Sequence, residues 1–190
     1  AQDVDMLLSR AEIAMYVAKQ KTTGIQVYDP ALDSSSTQTL SLLTELRHAV
    51  DGGQLRLYLQ PKLTLADNRV VAAEALVRWQ HPTRGLVPPM QFIPFAEQTG
   101  FVRQLTLWMF EEVARELPRL RADGQPLRVA INLSTRDLLD QEFPAKLDAL
   151  MARYGAPTDA FCLEITESAI MDDPQRAEAT LGRLSERGFK

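Results

Sequence analysis

Oxygen-bearing side chains occur inside three apolar stretches of the sequence that have the pattern of buried strands. Glu74 lies in EALVRW, Asn132 in VAINLS and Glu164 in LEITES, and we expect each of them late in its strand. An isolated buried charge costs several kcal/mol or is neutralised by a pKa shift, so these carboxylates need partners. Carboxylate and amide oxygens are the ligands that Mg²⁺ and Mn²⁺ prefer, whereas Zn²⁺ favours His and Cys. The three side chains are therefore candidate ligands of a hard divalent cation.

The same residues also fit a purely structural role. Arg78 follows Glu74 by four residues with the same strand parity, so the two could form an ion pair. Asn132 could bind backbone groups, and Glu164 and Glu167 could be ordinary charges at a strand end. Occurrence in three separate strands favours the metal site, but both interpretations stay open at this point.

The elements that would position these side chains alternate between apolar strands and amphipathic helices from residue 54 onward. Strands are predicted over 55–61, 69–79, 127–134 and 161–168. Helices are predicted over 90–100, 102–120, 136–155 with a break at Pro144, and from Asp173, with a loop over 80–89. This alternation indicates a mainly parallel sheet, although an Asp67-Asn68 turn predicts a hairpin between the first two strands. Ligands bind at the carboxyl ends of strands in such sheets.

The composition excludes several classes of protein. The chain has 190 residues, 45% of them hydrophobic, and a net charge of −4, which argues against a surface that coats a nucleic acid polymer. A single cysteine, Cys162, excludes an internal disulfide. No run of 18 apolar residues and no signal peptide are present, so we expect no membrane contact by this segment and a cytoplasmic location.

Residues before 54 have a different pattern. Apolar residues recur at helical spacing over residues 1–20, and GIQVYD then predicts a short strand. A polar segment, residues 31–36, precedes a predicted helix over 37–50. The latter ends at Asp51-Gly52-Gly53, which is a typical helix stop.

Five motifs carry a family resemblance. LYLQP, EALVRW, FIPFAEQTG, VAINLS and LEITES occur in an order and at spacings that resemble the EAL domain, a cyclic di-GMP phosphodiesterase family. The preceding LLSRAEIAMYVAKQKTTGIQVYD resembles the last helix and strand of a GGDEF (diguanylate cyclase) domain. The resemblance implies a GGDEF remnant over 1–30, a linker helix over 31–53 and the N-terminal part of an EAL domain over 54–190.

The implied fold is α/β, a partial modified TIM (β/α) barrel with an antiparallel first strand, preceded by a helix-strand remnant of a GGDEF domain. The antiparallel first strand agrees with the hairpin expected at Asp67-Asn68.

The resemblance also implies roles for individual residues. Glu74, Asn132 and Glu164 correspond to metal ligands, with two Mg²⁺ or Mn²⁺ ions in the complete domain, while Gln60 and Arg78 correspond to substrate-binding residues. Glu74 and Glu167 correspond to catalytic residues. Glu167 corresponds to a residue that fixes a catalytic loop and does not bind the metal directly. The implied reaction is hydrolysis of cyclic di-GMP to linear 5′-pGpG.

The resemblance reaches Lys190, before the positions at which the family carries an aspartate pair and further catalytic residues. We therefore expect activity in the complete domain and not in these 190 residues alone. The alternative is a catalytically inactive cyclic di-GMP receptor or regulatory module, which the intact first-half ligands disfavour. The expected partners are cyclic di-GMP and a second copy of the protein, through EAL–EAL or GGDEF contacts.

Overall fold

The computed structural model describes residues 7, 10, 11, 14, 15, 18, 24–29, 45–122, 127–166, 170 and 173–190. The predicted site residue Glu167 and residues 31–44 of the predicted linker lie outside these residues. The chain divides into two compact units, Ala1–His48 and Ala49–Lys190.

In the first unit, the strand predicted for GIQVYD is not formed. Residues 24–29 have no regular secondary structure, and Ile25 and Val27 are 84% and 78% exposed. Strands are stabilised by cross-strand pairs, and no described strand lies alongside residues 24–29 in a sheet. The guanidinium of Arg10 lies 5.0 Å from the ring centroid of Tyr28.

The second unit contains a five-stranded mixed sheet. Its strands are β1 (Leu55–Leu63), β2 (Val70–His81), β3 (Gly85–Val87), β4 (Arg128–Leu133) and β5 (Phe161–Ile165). The strand order is β1-β2-β4-β5, and β3 pairs with β2. β1 runs antiparallel to β2, whereas β2, β4 and β5 are mutually parallel. The mainly parallel sheet with an antiparallel first strand is therefore confirmed.

Helices follow the strands as the alternation predicted. They are α1 (Ile93–Thr99), α2 (Val102–Leu120), α3 (Thr135–Leu138), α4 (Phe143–Tyr154) and α5 (Pro174–Glu186). The predicted start of the last helix is confirmed, because the Asp173 side chain accepts a hydrogen bond from the Arg176 backbone N–H at 3.2 Å. Among the described residues, no helix combines the length and apolar character needed to cross a bilayer.

One face of the sheet packs against the helices and forms the core. Phe110 of α2 is fully buried, and its ring centroid lies 5.5, 6.1 and 6.2 Å from those of Phe161, Phe143 and Phe189. Apolar residues of β4 such as Val129 and Ile131 belong to the same cluster. Because side chains alternate along a strand, the opposite face of the sheet is left for polar residues.

Several predicted boundaries were wrong, among them that of the strand predicted over 161–168, which ends at Ile165. β1 continues through Pro61 to Leu63, since its backbone groups on one side have no strand to bond among the described residues and proline is tolerated on such an edge. The predicted loop over 80–89 contains β3, which pairs with the end of β2. The helix break lies before Phe143 and not at Pro144. Pro144 is in the first turn of α4, where a proline is tolerated because the backbone N–H groups of that turn have no partner within the helix.

The last residues of the chain extend the parallel sheet. Lys190 N–H donates to Phe161 O at 3.1 Å, and Leu163 N–H donates to Lys190 O at 2.6 Å. This is the hydrogen-bond pattern of a parallel bridge beside β5. Residues 189–190 are not assigned to a strand, so the strand start expected after Gly188 is represented only by these two hydrogen bonds of Lys190.

Candidate metal and substrate site

The predicted site residues that the structure describes lie on the polar face of the sheet. Gln60 on β1 pairs with Glu74 on β2, Glu74 pairs with Ala130 on β4, and Asn132 on β4 pairs with Glu164 on β5. Paired residues in a sheet project to the same side, so these side chains share one face. Three strands thus bring together Glu74, Asn132 and Glu164, which the parity pattern selected, and β1 adds Gln60, which the family resemblance implied.

Glu74 has a defined partner, and it is not Arg78. The Asn132 Nδ2 donates a hydrogen bond to Glu74 Oε1 at 2.9 Å. Arg78 instead donates to the Val77 carbonyl at 2.9 Å, and its guanidinium lies 5.7 Å from the ring centroid of Tyr58. The neutral Asn132 amide orients Glu74 without neutralising its charge, so the carboxylate keeps its attraction for a cation.

The expectation that all three oxygen ligands lie late in their strands was wrong for Glu74. It is the fifth of the 12 residues of β2, because pairing with β3 extends β2 as far as His81. Asn132 and Glu164 are the next-to-last residues of β4 and β5, as expected.

Glu164 has a partner that the sequence patterns did not reveal. Lys62, on β1 with the same parity as Gln60, forms an ion pair with Glu164. Hydrogen bonding to Glu164 is the main reason that the pKa of Lys62 lies above its ordinary value, and the charge of Glu74 adds to the effect. The sequence pattern predicts that the first strand ends at Pro61, so it does not include Lys62, whereas β1 reaches Leu63.

A cleft of about 870 Å³ lies on the side of the sheet that faces the helices, and Gln60, Glu74 and Glu164 are not among its lining residues. It lies between the sheet, α1, α2 and the turn that joins β4 to α3, and it contacts the polar face at Arg78 and Asn132. Its polar lining consists of Arg78, Glu97, Gln98, Thr106, Asn132, Ser134, Thr135, Arg136 and Thr166. The cleft is large enough for a nucleotide-sized ligand, because ligand sites typically measure roughly 300–1,000 Å³.

A buried carboxylate supports the wall of the cleft. Asp137 is fully buried, and its Oδ2 accepts hydrogen bonds from Ser134 N at 2.8 Å, Ser134 Oγ at 2.6 Å and Thr106 Oγ1 at 3.0 Å. Burial raises the pKa of Asp137 despite these donors. The pKa of Glu97 in the cleft wall is raised as well, first by lost hydration and second by the charge of Asp137.

The donor set fits a hard cation. Two carboxylates and one amide oxygen suit Mg²⁺ or Mn²⁺, with water in the remaining positions. Among the described residues, no group of three or more His, Cys, Asp and Glu side chains is arranged to hold a metal. The candidate site therefore consists of Glu74 with its hydrogen-bonded Asn132, and of Glu164 as the register partner of Asn132, rather than a cage of acidic or thiolate ligands.

Sequence comparison identifies relatives of known name. Residues 43–190 match the model of the EAL domain family. Cyclic di-GMP phosphodiesterase PdeR of Escherichia coli (strain K12) is 35% identical over 187 residues, which cover 98% of this chain and 28% of PdeR. Bifunctional diguanylate cyclase/cyclic di-GMP phosphodiesterase MucR of Pseudomonas aeruginosa is 34% identical over 185 residues, which cover 96% of this chain and 27% of MucR. The chain thus spans roughly a quarter of the length of these curated relatives.

Structural comparison agrees with the sequence match. The solved PaMucR phosphodiesterase in complex with c-di-GMP superimposes with a TM-score of 0.72 at 34% identity, and the alignment covers 78% of this chain and 61% of that one. Since the matching family model covers residues 43–190, well over half of the sequence, the chain belongs to the EAL domain family.

Proposed function

We propose that residues 54–190 form the N-terminal part of an EAL domain that hydrolyses cyclic di-GMP to linear 5′-pGpG. The observation that carries this proposal is the placement of Glu74, Asn132 and Glu164 on neighbouring strands, beside a cleft that Arg78 lines. Relatives named as cyclic di-GMP phosphodiesterases favour this enzyme over a catalytically inactive receptor.

In this proposal, Glu74, Asn132 and Glu164 hold two Mg²⁺ or Mn²⁺ ions together with residues of the complete domain. Bound divalent ions polarise a phosphodiester and lower the pKa of a coordinated water. Because the Asn132 amide nitrogen faces Glu74 at 2.9 Å, its carbonyl oxygen is the atom that remains for a metal. Glu74 is then both a ligand and the catalytic carboxylate that keeps the reacting phosphate and water together.

Arg78 and Gln60 bind the substrate in this proposal. The contact between Arg78 and the ring of Tyr58 holds the planar guanidinium on the polar face, where it can donate two parallel hydrogen bonds to a phosphate. Gln60 pairs with Glu74 across β1 and β2, so its amide lies next to the same reacting centre. Glu167, two residues beyond the end of β5, is proposed to fix a catalytic loop.

The segment before the EAL domain is proposed to be a GGDEF remnant over 1–30 followed by a linker helix over 31–53. A relative named as a bifunctional diguanylate cyclase and phosphodiesterase, aligned over 96% of this chain, supports that arrangement. We also propose a cytoplasmic homodimer that forms through EAL–EAL or GGDEF contacts.

Ligand binding tests the substrate assignment. Cyclic di-GMP is titrated by calorimetry into a complete EAL domain that contains these residues, with Ca²⁺ in place of Mg²⁺ to prevent turnover. We expect Arg78→Ala to weaken binding at least tenfold because the variant loses a charged donor to phosphate. Arg119→Ala, which removes an 87% exposed guanidinium from α2, should leave the affinity within twofold. Equal affinity of the Arg78 variant and the unmodified chain would contradict the assignment of Arg78.

Turnover tests the reaction. In a complete EAL domain that contains these residues, Glu74→Ala should lower hydrolysis with Mg²⁺ or Mn²⁺ at least a hundredfold, measured by the appearance of linear 5′-pGpG. Glu116→Ala, on the exposed face of α2, is the matched control. Binding of cyclic di-GMP without hydrolysis by the unsubstituted domain would instead establish the receptor function.

A further inference from the structure

Each carboxylate of the candidate metal site already has a partner within the chain. Glu74 accepts from the neutral amide of Asn132, whereas Glu164 is paired with the positive charge of Lys62. The two carboxylates therefore differ, because one is oriented by a dipole and the other is neutralised by a cation.

The fold gives Lys62 an open route to Glu164. Lys62 starts on β1 opposite Ala72 of β2, and Glu164 lies on β5, so the lysine side chain crosses the polar face of the sheet. Ala130 of β4 pairs with Glu74 on one side and with Cys162 on the other. Ala72 and Ala130 both have small side chains, which leaves room on this face for the lysine side chain. Glu164 pairs with Asn132 in the sheet register, and Asn132 donates to Glu74, so the Lys62–Glu164 ion pair lies beside the other candidate ligands.

We propose that the Lys62 ammonium is a built-in competitor for the divalent cation, occupying the Glu164 carboxylate until the metal displaces it. The inference rests on the proposed metal site, and it assigns to Lys62 the setting of metal affinity rather than a step in hydrolysis. Metal binding must break the ion pair and bring a dication close to a lysine, so both effects weaken metal binding.

The pair is open enough to exchange. The Lys62 and Glu164 side chains are 42% and 34% exposed, so solvent can replace the lost contact and the freed lysine can move into water. A unit charge a few ångströms from a metal in a partly aqueous environment changes its affinity by roughly tenfold.

The test measures Mn²⁺ binding to a metal-free complete EAL domain that contains the 190-residue chain, by electron paramagnetic resonance of free Mn²⁺. We expect Lys62→Met, which keeps the length of the side chain and removes the charge, to tighten Mn²⁺ binding about tenfold. Lys62→Arg keeps the charge and should stay within threefold of the unmodified chain. Lys146→Met, which removes a 41% exposed lysine from its ion pair with Asp140, should leave the affinity unchanged.

Glu164→Gln separates the two levels of the inference. If this variant abolishes Mn²⁺ binding and Lys62→Met tightens it, both the metal site and the role of Lys62 are supported. If Glu164→Gln abolishes binding while Lys62→Met leaves it unchanged or weaker, the competitor role is overturned and the metal site stands. Unchanged binding in the Glu164 variant, or no Mn²⁺ binding by the unmodified complete domain, would overturn both.

Discussion

Replacing Asp137 by alanine tests how the buried carboxylate supports the cleft. The Asp137 Oδ2 accepts three hydrogen bonds, two from Ser134 and one from Thr106, and these fix the turn that follows β4. Asn132 lies two residues before that turn, so the same contacts support a proposed metal ligand. We expect Asp137→Ala to destabilise the chain and to loosen the cleft wall.

The magnitude follows from the groups left behind. Thr106 is buried and Ser134 partly buried, and each buried donor left without an acceptor costs about 1–3 kcal/mol. Removing Asp137 also removes the cost of burying its charge, which is large enough to raise its pKa despite the three donors. We therefore expect a net loss of about 2–3 kcal/mol in the free energy of unfolding, less than the sum of three charged hydrogen bonds.

Urea denaturation at pH 7 measures this loss. Thr106→Val removes one of the three donors at nearly constant shape and should cost about 1 kcal/mol. Both substitutions remove the same Thr106–Asp137 hydrogen bond, so the double variant should be less destabilised than the sum of the single variants. A loss below about 0.5 kcal/mol for Asp137→Ala, or strict additivity in the double variant, would refute this account of the network.

Three further outcomes are expected. Because burial raises the pKa of Asp137, the folded chain binds the Asp137 proton more tightly than the unfolded chain does. The stability of the unmodified chain relative to Asp137→Asn should therefore fall as pH rises from about 4 through the folded pKa, and should then be constant. Urea titrations in the acid range measure this slope, and a stability difference that grows with pH would show the opposite linkage. Phe110→Ala should cost about 3–5 kcal/mol by chemical denaturation because three aromatic rings lose their shared neighbour, whereas Met90→Ala, at an 87% exposed position, should change stability by less than about 0.5 kcal/mol. Gly155→Ala should cost about 1–2 kcal/mol because φ is +61° there, while Gly182→Ala, on a helix and equally free of close neighbours, should stabilise by about 0.5–1 kcal/mol; stability changes of the same sign would contradict the backbone argument.

The shared face of Glu74, Asn132 and Glu164 could be predicted because strand parity is a local property. Each residue lies in a strand whose alternate apolar side chains pack on the core. A shift of the strand by one residue would move the polar side chain to the core face. Sequence spacing therefore fixed the side of the sheet on which the candidate ligands lie.

Lys62 could not be found in the same way, since its position depends on tertiary pairing. A proline ordinarily ends a strand. β1 continues beyond Pro61 because it is the first strand in the order of the described sheet, where a missing N–H donor is tolerated. The contact between Lys62 and Glu164 joins residues 102 positions apart in sequence, so no local pattern indicates it.

Asp137 is an intermediate case. Ser134 and Asp137 form a capping box at the start of α3, which is a spacing that sequence reading can detect. The full burial of Asp137 and its contact with Thr106 arise because α2 packs over the turn, and that packing is visible only in the fold.

The proline in β1 also bears on aggregation. Gln80 N–H bonds to Gln54 O, and the alternation of an antiparallel ladder then directs the Pro61 nitrogen away from β2. A strand of another molecule that paired with the free side of β1 would find no N–H donor at Pro61. The interruption discourages open-ended polymerisation into β-fibrils, a hazard of long, flat and unprotected sheet borders.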